Sequence, residues 1–216
     1  NIVGSVEPVT LDKVTLVMET AEGNITRGEF EIGHADFGGG KRPIIRLEPQ
    51  AALNPRALRA IEKADIVVIA PGNLYGSLAP ALVVPGMSEA LRNTKAKKVY
   101  VCNLVTKPGQ TDDFNVQDFA EEIERFGDFK LDYVLYNNEK PSQYLIDRYA
   151  KDGEEPVDFD KQTLKTMHYA AKGGKFVSGD IHEPSQEGAD QLAATRTLIR
   201  HDADAVSRAL MKLYFS

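Results

Sequence analysis

The apolar positions change period along the chain, and each change marks a change of element. Between Lys13 and Pro49, polar and apolar residues alternate in "KVTLVMET" and again in "ITRGEFEI", with "AEGN" between them; "IIRLEP" follows a Gly-rich loop, "GHADFGGGKRP". Period two around a short Gly-Asn turn predicts a hairpin with a third strand after it. From Asn54 the period turns helical: "NPRALRAIEKA" places Asn54 at the N-cap, Pro55 at the first helical position, and Leu58 and Ile61 on one face. The apolar run "DIVVIAP" then reads as a strand buried on both faces and ended by Pro71 and Gly72. A helical segment, "GMSEALRNTKA", leads to a second buried strand, "KKVYVCNLV". A right-handed crossover between them makes residues 66–71 and 99–104 parallel neighbours in one sheet.

Downstream, Asn115 is a candidate cap for the amphipathic helix in "FNVQDFAEEIERFG"; "KLDYVLYNN" reads as a strand and "KPSQYLIDRYA" as a helix. The stretch from Lys151 to Arg196 is polar and interrupted, with one short strand candidate at residues 175–178, and is expected at the periphery. "LIRHDADAVSRALMKLYFS" closes the chain with Asp202 as N-cap and Val206, Leu210 and Leu213 turned inward. No repeat and no Pro/Gly/Ser-rich linker divides the sequence. The expected fold is therefore a single α/β domain over residues 1–216, Rossmann-like and three-layered, with a mostly parallel sheet and an N-terminal antiparallel hairpin patch.

Composition narrows the function classes. The chain has 216 residues, 42% hydrophobic and 27% charged, enough for one well-filled core. Its net charge of −6, with no long Lys/Arg run, argues against nucleic acid as a partner. Cys102 is the one cysteine and lies inside an apolar run, which suits a small buried thiol rather than a nucleophile. No apolar segment approaches the roughly 18–20 residues of a membrane span, and no signal segment opens the chain, so a cytoplasmic protein is expected. The sequence starts on Asn1 rather than Met, and a longer parent chain is expected.

Candidate chemistry gathers where the two parallel strands end, because ligands in open α/β sheets bind outside the carboxyl ends of the strands. The first loop, "PGNLYGS", offers Gly72, Asn73, Leu74, Tyr75, Gly76 and Ser77, whose backbone N–H groups could surround an anion. It reads equally well as an ordinary strand-to-helix turn. The second loop contributes Asn103, Thr106 and Thr111, hydroxyls and an orienting amide that suit a phosphate. Arg200 could clamp a pyrophosphate bidentately or pair with Asp202 or Asp204, and Tyr149 could stack on a ring or belong to the core.

Other features read as structural. The glycines at 38–40 form a loop tip, and His34 with Asp36 does not amount to a metal site. The four histidines and one cysteine lack zinc-site spacing; Asp112 and Asp113 complement a helix dipole; His168 and His182 read as solvated. His201 beside Asp202 makes no catalytic pair, since neighbouring side chains at a helix start diverge, and no catalytic residue is assigned.

Four separated motifs, "DIVVIAPGNLYGSLAPALVVPGMSEAL", "KVYVCNLVTKPGQTDDFNVQDF", "RYAKDGEEPV" and "LIRHDADAVSRAL", together resemble the gluconeogenesis factor family of the YvcK type. That family is related to the 2-phospho-L-lactate transferases of deazaflavin coenzyme synthesis. "PGNLYGS" is similar to the "PGSLYTS" of the gluconeogenesis factors and less so to the "GPSNP" of the transferases. Asn73 stands for the usual Ser, Gly76 for Thr, and "TKPGQT" for "TQPGET". The resemblance implies a regulator of gluconeogenic growth, cell-wall precursors and cell shape that binds a nucleotide sugar such as UDP-N-acetylglucosamine. It implies no resident cofactor, with Mg²⁺ arriving only alongside a nucleotide, and leaves a protein partner and a homo-oligomer open. The alternatives are a Mg²⁺-dependent transferase of a phosphorus-containing group and an interaction scaffold with a degenerate pocket. The Gly-rich nucleotide loop of full-length relatives would lie upstream.

Overall fold

The computed structural model describes residues 3–38, 41–178 and 199–216. The smaller of its two sheets is antiparallel, with strand order β2-β1-β3: β1 is Thr15–Glu19, β2 Ile25–Arg27 and β3 Ile44–Glu48. The hairpin is there, but its second arm is shorter than the alternation predicts. Gly28, at φ 100°, turns the chain out of β2 and into helix α1, Glu29–His34. Glycine reaches that left-handed conformation without a steric cost, and Glu29 and Glu31 complement the helix start. Gly39 and Gly40 of the loop tip lie outside the described residues.

The larger sheet is fully parallel in the order β4-β5-β6-β7, with β4 Ile66–Ile69, β5 Lys97–Val101, β6 Tyr133–Asn137 and β7 Ala170–Gly174. Helix α2 (Pro55–Lys63) precedes β4, and α3 (Ala79–Leu82) with α4 (Met87–Asn93) carries the chain to β5. Helix α5 (Val116–Gly127) links β5 to β6, and α6 (Gln143–Ala150) with α7 (Lys161–Thr166) links β6 to β7. Helix α8, Ala203–Tyr214, follows last. The three expected caps form. The Asn54 side chain accepts from the Arg56 N–H at 3.0 Å, Asp202 from that of Ala205 at 2.8 Å, and Asn115 shares a reciprocal capping box with Asp118.

Two strand expectations are corrected. Among the described residues β4 pairs on one side only, with β5, and Val68 is 38% exposed, so the strand is not buried on both faces. The late strand is β7, not residues 175–178, of which Val177 makes only an isolated bridge to His201. Gly173 and Gly174 hide β7 from propensity rules but fit the packing. A Cβ at Gly173 would come within 2.8 Å of the Asn138 amide, and one at Gly174 within 2.6 Å of the Phe176 ring. His168 is not simply solvated either: its Nε2 lies 2.6 Å from Glu124 Oε1. His182 lies outside the described residues.

Alternation along the parallel strands builds the layers. Val99, Val101 and Leu135 face α8, with Leu213 buried and Val206 and Leu210 packed beside it. Tyr100, Val134 and Tyr136 point the opposite way, into the larger core with Phe119 and Ile123 of α5. Each such fully buried side chain contributes about 1.5–3 kcal/mol. Leu16, Met18 and Ile45 of the small sheet belong to the same core, so both sheets support the loops above β4 and β5. Among the described residues, no helix is long and apolar enough to cross a membrane.

Candidate functional site

Three separated segments meet beyond the carboxyl ends of β4 and β5, around a cleft of about 420 Å³. The first is the loop after β4, where Asn73 caps a single π-helical turn, Leu74–Leu78. Asn73 Oδ1 accepts from the Gly76 N–H at 3.0 Å, and its carbonyl accepts from Ser77 and Leu78 at 2.9 and 3.0 Å. Those three amides therefore serve the turn rather than an anion, which corrects the expectation of a full N–H cradle. Gly72, Asn73 and Leu74 line the cleft. Tyr75, Gly76 and Ser77 are not among the described lining residues. Tyr75 is fully buried, its ring edge-on to Phe37 and Phe126, and burial raises its phenol far above the usual value. Ser77 is exposed.

The second segment is the loop after β5. Asn103 donates from Nδ2 to the Gly72 carbonyl at 2.9 Å and accepts from the Tyr100 hydroxyl at 3.0 Å, so it locks the two strand ends together. Thr111 Oγ1 accepts from the Lys107 N–H at 2.7 Å, and Thr106 Oγ1 from the Glu155 N–H at 3.1 Å. Both hydroxyls keep a proton to donate, and both threonines line the cleft. The Glu155 contact, with Val157 N–H to the Leu104 carbonyl at 3.0 Å, lays residues 154–157 along this loop and brings Glu154 to the cleft wall.

The third segment brings Ile199, Arg200 and His201. Tyr149 is buried and stands outside the described lining; its hydroxyl accepts from the Ile199 N–H at 2.5 Å, so it positions the residue before Arg200. Arg200 is exposed at the cleft, its carbonyl accepting from the Ser178 N–H at 2.7 Å. His201 Nε2 lies 3.1 Å from the Cys102 carbonyl. A carbonyl only accepts, so Nε2 carries the proton, and burial holds the ring below its ordinary pKa, in the neutral form. Beneath it, burial pushes the Cys102 thiol up to about 12, which leaves it inert.

The site also contains residues that motif reading did not place there. Lys107 is half-buried, and its ammonium donates to the Gly33 carbonyl near the end of α1. Burial lowers its pKa against the opposing pull of Glu154; burial and the negative charge of Asp152 raise that of Glu154. Gln110 is fully buried and donates from Nε2 to the Ile32 and Ala35 carbonyls at 2.8 and 2.9 Å. Their shared loop with Thr106 and Thr111 was the available signal. Their partners, more than 70 residues away in sequence, were not.

The family model for 2-phospho-L-lactate transferase CofD matches residues 1–177. The chain belongs to this family. This CofD-family chain is 34% identical over 214 residues to the gluconeogenesis factor of Halalkalibacterium halodurans, covering 98% of this chain and 61% of that protein. It is 32% identical over 214 residues to the gluconeogenesis factor of Bacillus subtilis, covering 99% of this chain and 62% of that one. A crystal structure of a UPF0052 family member from Bacillus halodurans superposes with a TM-score of 0.80 at 33% identity, covering 95% of this chain and 62% of the other. The chain thus spans about three-fifths of the length of these relatives.

The departures of this CofD-family chain from the gluconeogenesis factor motifs have local reasons. A Cβ at position 76 would lie 3.3 Å from the Asn73 amide, so the larger cap at 73 and the bare Gly76 form a matched pair. Lys107 and Gln110 are donors where their partners are carbonyls at the end of α1, beyond the reach of the helix's own i→i−4 bonds.

Proposed function

We propose that this chain binds the diphosphate of a nucleotide sugar, UDP-N-acetylglucosamine first among candidates, at the carboxyl ends of β4 and β5, and acts as a cytoplasmic regulator of the gluconeogenesis factor type. The convergence of Asn73, Thr106, Thr111, Lys107 and Arg200 on one cleft carries this reading. Two hydroxyl donors and two cations suit a dianion better than a neutral ligand. The names of the similar proteins from Halalkalibacterium halodurans and Bacillus subtilis support the regulatory class.

Isothermal titration of UDP-N-acetylglucosamine tests it. Arg200→Ala should weaken binding by about 2–5 kcal/mol while leaving the melting temperature unchanged. A ligand at 100 times its dissociation constant should add about 2.7 kcal/mol of stability to the wild type. Unchanged affinity in a folded Arg200→Ala protein removes Arg200 from the ligand. Silence across UDP-sugars, GDP and NAD, with and without Mg²⁺, favours the scaffold alternative.

The family model's own description supports a second reading, transfer of a phosphorus-containing group from a nucleoside diphosphate donor. Among the described residues, no group of three or more His, Cys, Asp or Glu side chains is placed to hold a metal, and Glu154 is the sole carboxylate of the described lining. Of these lining residues Glu154 alone offers a carboxylate to a Mg²⁺, an ion that keeps few protein ligands and is held largely by a nucleotide's phosphates. Phosphorus NMR of the chain with 2-phospho-L-lactate and a nucleoside diphosphate donor separates the readings: a new phosphodiester signal selects the transferase.

A further inference from the structure

On the far side of the sheet, α8 and the β7 edge enclose a second cleft of about 620 Å³, within the range of small-molecule sites. Its floor is apolar: Tyr133, Ala205 and Ala209 are half-buried and face it, above the buried Leu135, Phe176 and Leu213. Its walls carry Lys172 on β7 and Arg208 and Lys212 on α8, all exposed. A fourth cation, Lys175, stands at the mouth and pairs with Glu139 at 2.9 Å. Among the described residues no Asp or Glu side chain lines this cleft, although the chain as a whole carries a net charge of −6. The side-chain lining is thus cationic on a molecule that is acidic overall.

The carbonyl end of α8, with its partial negative charge, should by itself repel an anion from this place. Lys97 answers it, donating from Nζ to the Leu213 carbonyl at 2.7 Å. An inorganic ion would satisfy the cationic walls and leave the floor wet. A molecule with a flat apolar body and a phosphate satisfies both.

We propose that the cleft between β7 and α8 is a second binding site, independent of the one above β4 and β5, for an organic phosphate with a flat apolar body. Its apolar part lies against Tyr133, Ala205 and Ala209, and its phosphate is held between Lys172, Arg208 and Lys212.

The test is titration of 1-naphthyl phosphate into the full chain, followed by calorimetry and by amide NMR shifts. One saturable event is expected, with shifts centred on residues 172–176 and α8. The double variant Arg208→Ala/Lys212→Ala should weaken it by about tenfold or more, since two charge-assisted hydrogen bonds are lost. Arg200→Ala should leave it unmoved, which separates this site from the proposed nucleotide-sugar cleft. Inorganic phosphate should bind more weakly, because the floor stays uncovered. Lys172→Ala, on the opposite wall, gives an independent check should the helix variant fail to fold. Absence of saturable binding, undiminished binding in the folded variants, or shifts centred on the loops after β4 and β5 would overturn the proposal.

Discussion

Replacing Gln110 by Glu, the residue at this place in the gluconeogenesis factor motif, should destabilise this chain rather than restore an ancestral contact. Gln110 is 1% exposed, and its Nε2 donates to two carbonyls, those of Ile32 at 2.8 Å and Ala35 at 2.9 Å. Ile32 keeps a second donor in the Ala35 N–H at 3.3 Å, so the Ala35 carbonyl is the acceptor that suffers most. An unsatisfied buried acceptor costs about 1–3 kcal/mol. A carboxylate in Gln110's place would also put a buried charge against two carbonyl oxygens, with a penalty of at least similar size, so the total should be about 3–5 kcal/mol at pH 8. Protonation relieves part of this, because a carboxylic acid donates one hydrogen bond. The folded-state pKa of the introduced carboxyl would be raised, so the deficit should be smallest below the ordinary carboxylate range and grow as pH rises through that raised value. Urea unfolding of Gln110→Glu and wild type, followed by circular dichroism at pH 5 and pH 8, measures it. A deficit under about 1 kcal/mol at pH 8, or one that ignores pH, would refute the clamp between this loop and α1.

The Asn73 and Gly76 pair predicts a coupling. Gly76→Thr alone should cost about 1–3 kcal/mol by overpacking against the Asn73 amide, and Asn73→Ser should recover most of it, as read by a double-mutant cycle of urea midpoints; additive costs would show that the two positions are unrelated. His201, held neutral chiefly by burial, should make stability fall as pH drops below its unfolded value near 6.5 and on through its lowered folded value, because the unfolded chain takes up the proton first. Melting curves of wild type and His201→Gln between pH 5 and 8 check this, and parallel curves would remove His201 from the acid dependence.

The sequence by itself determined the elements whose signals are local. Asn54 with Pro55, Asn115 with Asp118, and Asp202 each name a helix start within a few residues, because a capping side chain reaches only the next turn. The parallel pairing of β4 and β5, and the gathering of their loops at one edge, were legible because a strand–helix–strand order returns the chain to the same end of the sheet. The tertiary structure decided what rests on distant partners. β7 is a strand because β6 offers it a ladder, not because "AAKGG" prefers one. "EFEIGH" alternates like a strand yet is helical, since Gly28 turns it and Ile32 finds the core only that way. Tyr75 and Tyr149 read as available to a ligand and are buried, while Lys107 and Gln110 gain their purpose from carbonyls of Gly33, Ile32 and Ala35. A short motif encodes where its backbone turns; which face of that turn meets solvent is set by chains folded against it from elsewhere in the sequence, and no local pattern carries that information.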